Sequence, residues 1–156
     1  MMNSLIMEHW SAEQRELPGM NCIAFADGTV IILDILKIHD PNNNERTMHV
    51  SPLCDTTIDS MVKYNPDCWT MIDAWTSIDY QDGTIVGGDG AMGNEGFIAY
   101  TDAEDRLVWA IFFENTNPIK KLSVNGSTLN AINEHDELRI EIHLNHLVDI
   151  QMTYLG

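Results

Sequence analysis

The chain has 156 residues, eight Lys or Arg against twenty-four Asp or Glu, a formal net charge of -16 and a pI near 4.4. Such an acidic field repels nucleic acid and anionic membrane. With 44% hydrophobic residues and a mean hydropathy of -0.15 the chain is not disordered, and no apolar run is long enough to span a bilayer.

One domain over residues 1–156 is expected, able to fold without disulfide or metal. Residues Met1–Trp10 lack a basic stretch followed by an apolar core, so no signal peptide is expected and the chain reads as cytoplasmic. Ser11–Glu16 suggests a short turn of helix ahead of Pro18-Gly19. Asp27-Gly28 lies between apolar runs and predicts a two-residue hairpin turn pairing Phe25 with Val30 and Ile23 with Ile32. Asn42-Asn43-Asn44 reads as a loop tip. Ser51-Pro52 has the form of an N-cap followed by proline at the first helical position, and Asn65-Pro66 would stop a helix running from Pro52 to Tyr64.

Trp69 to Tyr80, rich in Trp, Thr and Ile, reads as a strand, and Asp82-Gly83 predicts a hairpin pairing Tyr80 with Ile85. Gly96 to Thr101 and Leu107 to Phe113 flank the polar turn Asp102-Ala103-Glu104-Asp105. The second of them is apolar at both parities, which predicts a central strand buried on both faces. Asn125-Gly126 predicts pairing of Leu122 with Leu129 and Ile119 with Ile132. Leu138 to Tyr154 alternates apolar and polar residues. A three-residue loop, Asn145-His146-Leu147, aligns Leu144 with Val148, Ile142 with Ile150 and Ile140 with Met152, and sets His143 opposite Asp149, whereas a two-residue loop would set apolar against polar. Ile23-Ala24-Phe25-Ala26-Asp27 is similar to Ile98-Ala99-Tyr100-Thr101-Asp102, a faint internal repeat. The expected fold is mostly β: a single-domain antiparallel β-sandwich or bent sheet of about nine or ten strands with one or two short helices.

Catalytic signatures are missing. Gly88-Asp89-Gly90-Ala91-Met92-Gly93 matches G-x-G-x-x-G, but a β-like run follows where a dinucleotide site needs a helix, and no basic residue is near. Glu141, His143 and His146, with Glu134, His135 and Asp136, suggest a metal, yet their spacing fits no zinc pattern and a solvated strand face accounts for them. Paired carboxylates such as Asp73 and Asp79 carry little weight in so acidic a chain. Cys22, Cys54 and Cys68 are odd in number and form no C-x-x-C, which points to reduced thiols. Trp69 and Trp75, six apart on one strand, invite a sugar-stacking reading against the commoner role of core tryptophan. No catalytic residue, metal or cofactor is assigned.

The charge is unevenly spread. Between Lys63 and Arg106 there is no Lys or Arg, and Asp67, Asp73, Asp79, Asp82, Asp89, Glu95, Asp102, Glu104 and Asp105 all fall there. Such a stretch attracts basic surfaces.

Gly88 through Ala99, then Leu107 to Glu114, then Asn117-Pro118, form a strand-loop pattern that resembles small acidic proteins of bacterial polymorphic-toxin systems, over roughly residues 86 to 120. The resemblance implies an immunity protein: a binding protein that inhibits a cognate toxin domain, encoded by a neighbouring gene, by occluding its basic active-site surface. Interfaces of such pairs are specific to each pair, so no family residue is carried over. On charge and loop position the expected partner-binding residues are Asp79, Asp82, Asp89, Glu95 and Trp75. Two alternatives stand beside this reading: a small-ligand or carbohydrate-binding β-module, and a metal-dependent enzyme using the C-terminal His and Glu residues.

Overall fold

The computed structural model describes residues 2–155. Twelve antiparallel strands form one sheet that curls into a half-barrel, with two short helices on its outer side. In chain order the elements are α1 (Ser4–Trp10), β1 (Glu16–Pro18), β2 (Cys22–Phe25), β3 (Thr29–Asp40), β4 (Glu45–Thr57), α2 (Ile58–Tyr64), β5 (Trp69–Tyr80), β6 (Gly83–Gly90), β7 (Gly96–Thr101), β8 (Leu107–Phe113), β9 (Ile119–Asn125), β10 (Thr128–Asn133), β11 (Leu138–His143) and β12 (Ile150–Tyr154). Across the sheet they run β1-β5-β6-β7-β8-β2-β3-β4-β12-β11-β10-β9. Among the described residues no helix is long and apolar enough to cross a membrane.

Alternation sorts the side chains into two cores. Ile23, Ile85, Ile98, Ile111 and Phe113 point into the curl, where they meet Ile119, Leu129, Ile140, Ile142 and Met152 from the far end of the same sheet. On the outer side Cys22, Ala24, Val30, Phe97 and Phe112 pack under Ile6 and Trp10 of α1 and Ile58 of α2. β8 serves both cores and is buried along nearly its whole length, as its unbroken apolar run requires. The internal repeat has a spatial counterpart, because β2 and β7 flank β8 on equivalent rungs. Ile23 and Ile98 both face Ile111, Ala24 and Ala99 face Ala110, and Phe25 and Tyr100 face Trp109.

Turn chemistry departs from the sequence reading in register, not in face for two of three hairpins. At Asp27-Gly28 the loop takes three residues: Ala24 faces Val30, Ile23 faces Ile31, and Gly28 adopts φ 91° while its amide bonds the Phe25 carbonyl. This is a turn closed by a left-handed glycine, and it moves the pairing by one residue. At Asp82-Gly83 the turn is Gln81-Asp82, so Tyr80 faces Gly83 and Ile78 faces Ile85. At Asn125-Gly126 the turn is Gly126-Ser127, so Leu129 faces Val124 and Leu122 faces Ala131, and a shift beyond Ile132 sets Ile119 against Asn133. Both slips are by two, which keeps apolar residues on their face. The C-terminal hairpin has the expected register, with Ile142 facing Ile150 and Ile140 facing Met152, and the His143 amide bonds the Asp149 carbonyl.

Ser51-Pro52 does not start a helix. Both residues lie in β4, and Pro52 sits beside the irregularity at Ile32/Leu33, where a strand tolerates proline. The helix begins at Ile58, capped by the Thr57 hydroxyl, which accepts from the Ser60 amide. Ser11–Glu16 is not helical either; the N-terminal helix lies upstream, with the Asn3 side chain accepting from the amides of Leu5 and Ile6.

Candidate functional site

The base-free stretch folds into β5, β6, β7 and their loops, and its geometry is set by a bulge. Ala74 faces Gly88 and Thr76 faces Gly87, which leaves Trp75 unpaired. The bulge requires glycine opposite, since a Cβ at Gly88 would lie 1.9 Å from the Asp73 carbonyl oxygen. The extra residue also switches parity. Ile72 packs in the outer core, whereas Ile78 and Tyr80 turn into the curl. Trp75 stands 46% exposed at the switch, with Met71 50% exposed on the same strand. Trp69, by contrast, is half-buried and stacked on His9 at 3.6 Å, so only one of the two tryptophans is offered to solvent.

Asp89 lies directly across from Asp73. Its Oδ1 is buried and has no hydrogen-bond partner. Burial, and secondarily the Asp73 charge, raises its pKa above the ordinary carboxylate range; the Trp75 side chain works against the rise without reaching normal hydrogen-bonding geometry to Oδ1. On the Asp73 side, the Gln14 amide donates to Oδ1 at 3.4 Å. Asp73 enters this cluster through register, which alternation along two unaligned strands did not supply.

Asp79 and Asp82 form a separate, exposed group at the other end of β5, about 20 Å from Asp73 by strand rise. Beneath them Tyr80, Tyr100 and Trp109 stack edge to face and tilted, with centroids 5.4 and 6.1 Å apart. The Tyr100 hydroxyl titrates above its usual value because of burial first and the Asp82 charge second.

Glu95 is not on this surface. It is only 8% exposed, it accepts from the Met92 amide at 3.1 Å, and its Oε1 occupies the space a Cβ on Gly90 would need. It closes the β6–β7 loop from beneath. The G-x-G-x-x-G segment is this same loop with the end of β6; β7 follows it, and Gly93 has φ 77°. In the C-terminal hairpin His143 Nδ1 accepts from the Asn145 amide at 3.2 Å. Among the described residues no group of three or more His, Cys, Asp or Glu is placed to hold a metal. Cys22 and Cys68 are buried and Cys54 is exposed, all as free thiols; burial pushes Cys22 up to about 12.

Five of the eight Lys and Arg residues are paired elsewhere. Arg15 pairs with Asp105, Arg106 with Asp102 and Glu104, Lys120 and Lys121 with Asp136, and Arg139 with Glu141. Among the described residues no ion pair involves Asp67, Asp73, Asp79, Asp82 or Asp89.

No family model, no curated protein and no solved structure matches this chain.

Proposed function

We propose that this protein is an inhibitory binding protein, an immunity protein that occludes the basic active-site surface of a cognate toxin domain encoded by a neighbouring gene. The observation that carries the reading is the set of acids along β5 and β6 that the fold leaves without an internal cation, next to an exposed tryptophan. Unpaired carboxylates gather positive potential from a partner and steer encounter, and an exposed Trp supplies the desolvated anchor on which interface energy concentrates. Asp79, Asp82 and Trp75 are the contact residues of this reading. Asp73 joins them, Asp89 contributes its charge from a half-buried position, and Glu95 holds the adjoining loop.

The test is co-expression with the C-terminal domain encoded immediately upstream, followed by pull-down and titration at two salt concentrations. A one-to-one complex that rescues growth and weakens with salt is the expected result. Asp79→Lys and Asp82→Lys leave the fold intact and slow association. A complex of unchanged affinity in both variants and in Trp75→Ala moves the interface elsewhere; absence of complex and rescue removes the immunity reading.

A further inference from the structure

The long hairpin of β3 and β4 carries an edge that the rest of the sheet leaves open. β2 pairs with β3 only from Val30 to Ile32, and the Asn21 carbonyl takes the Leu33 amide. From Asp34 to Asp40, β3 pairs with β4 on one side alone. Backbone groups along an antiparallel strand face alternate sides. With the Leu33 amide turned toward β2, the amides and carbonyls of Ile35, Lys37 and His39 point out of the open edge. Neither proline nor bulge falls within Asp34–Asp40; the irregularity at Ile32/Leu33 precedes the segment and Pro41 follows it. Alongside runs a groove of about 360 Å³, with Ile35, Lys37 and Met48 on the hairpin side and Asn21, Asn115 and Thr116 opposite.

The side chains of this edge select an occupant. Leu36 is 54% and Ile38 43% exposed, on one face, bracketed on that face by Asp34 and Asp40. A second copy is a poor match in the register that aligns both apolar residues. The register that sets Leu36 against Ile38 also sets Asp34 against Asp40 and Lys37 against itself, and like charges directly opposite are destabilising. We infer that the Asp34–Asp40 edge takes an extended segment of a partner protein as an added strand, with basic residues opposite Asp34 and Asp40, apolar residues opposite Leu36 and Ile38, and an acid opposite Lys37. Main-chain hydrogen bonds along the edge hold such a segment and the alternate side chains choose it. This surface is separate from the β5–β6 face and does not depend on it.

The probe is the peptide acetyl-KTVEVTK-amide, whose palindromic order presents the same side chains in either strand direction, added to the ¹⁵N-labelled full chain. Binding is expected to slow hydrogen exchange at the amides of Ile35, Lys37 and His39. Two N-methylated peptides, each blocking one alternate set of amides at unchanged charge, separate strand pairing from bulk attraction: one is expected to lose affinity about tenfold, the other little. Lys37→Pro removes an amide that faces outward, so it abolishes peptide protection while the β3–β4 ladder persists. Equal binding by both N-methylated peptides, or by a scramble of the same composition, overturns the inference. So does a dimer in light scattering that is held by this edge and unmoved by the peptide.

Discussion

Asp89→Asn is expected to make the protein more stable at neutral pH. Two costs of the native aspartate are visible: a like charge directly across the strand pair at Asp73, and a buried Oδ1 with no partner. Opposed like charges on neighbouring strands cost within about 0.2–1 kcal/mol, and an unpaired buried acceptor about 1–3 kcal/mol, of which the neutral amide oxygen retains part. A gain of about 1 kcal/mol follows, or about 3 °C in Tm for a chain of this size. Urea unfolding followed by tryptophan fluorescence measures it. The pH dependence supplies an independent check. The folded pKa of Asp89 lies above its unfolded value, so the native state binds this proton more readily than the unfolded chain. Wild-type stability therefore recovers as pH falls through that raised folded value, and the recovery is complete below the unfolded value of about 3.9. Asparagine does not titrate, so the variant's advantage shrinks over that window. A variant less stable than wild type at pH 7, or an advantage that grows on acidification, refutes the reasoning. Asp73→Asn combined with Asp89→Asn should gain less than the sum of the two, because either substitution removes the same repulsion.

Three further outcomes are expected. Gly87→Ala places a Cβ 2.9 Å from Ile119 Cγ2 and should cost about 1–3 kcal/mol, read by chemical denaturation; a variant as stable as wild type contradicts this packing of β6 against β9. Thr57→Ala removes the side-chain acceptor for the Ser60 amide and should cost about 1 kcal/mol in the same assay, with Thr57→Ser near wild type. In the native protein Ellman's reagent should modify Cys54 quickly and leave Cys22 untouched until unfolding, since the latter is buried and its thiolate is suppressed by a pKa of about 12; rapid modification of Cys22 in native buffer, located by peptide mass mapping, contradicts the packing around β2.

Sequence reasoning succeeded where burial was dictated by composition alone. Trp69–Tyr80, Gly96–Thr101 and Leu107–Phe113 fold as strands with those limits, each being rich in β-branched and aromatic residues. The C-terminal register was legible because strict alternation on both arms leaves one parity that pairs apolar with apolar. The same logic placed Tyr80, Ile85, Leu122 and Leu129 on their faces but not with their partners, since a slip of two residues preserves every face. β4 was missed because Glu45–Thr57 is exposed at most positions and so has little alternation, and because Ser51-Pro52 carries the chemistry of a helix start. Seven-residue α1 offers too few turns for a periodic signal; it is held by Ile6 and Trp10, one turn apart, against the outer core. At the candidate site the charge was visible and the burial was not. Glu95 and Asp82 look alike as letters, yet loop closure takes one inside and a turn leaves the other in solvent. Trp75 as a parity switch depends on Gly88 across the ladder, a pairing no local pattern states.

The strand order has a consequence for how the chain reaches this structure. Most neighbours are hairpins, which close over short loops, but β1 joins β5 across a gap from Glu16 to Met71, β2 joins β8 from Cys22 to Phe112, and β4 joins β12 from Met48 to Met152. Loop-closure entropy must be met before such distant pairings contribute, so folding waits on them. Until β8 arrives, β2 has no centre to flank; until β12 arrives, the curl has no far wall. The hairpins, β2–β3–β4 of the N-terminal third included, can form early as local units, whereas that third joins the rest of the sheet only through the long-range pairings with β8 and β12. During that interval its apolar β2–β3 edge is the segment most in need of protection from other chains.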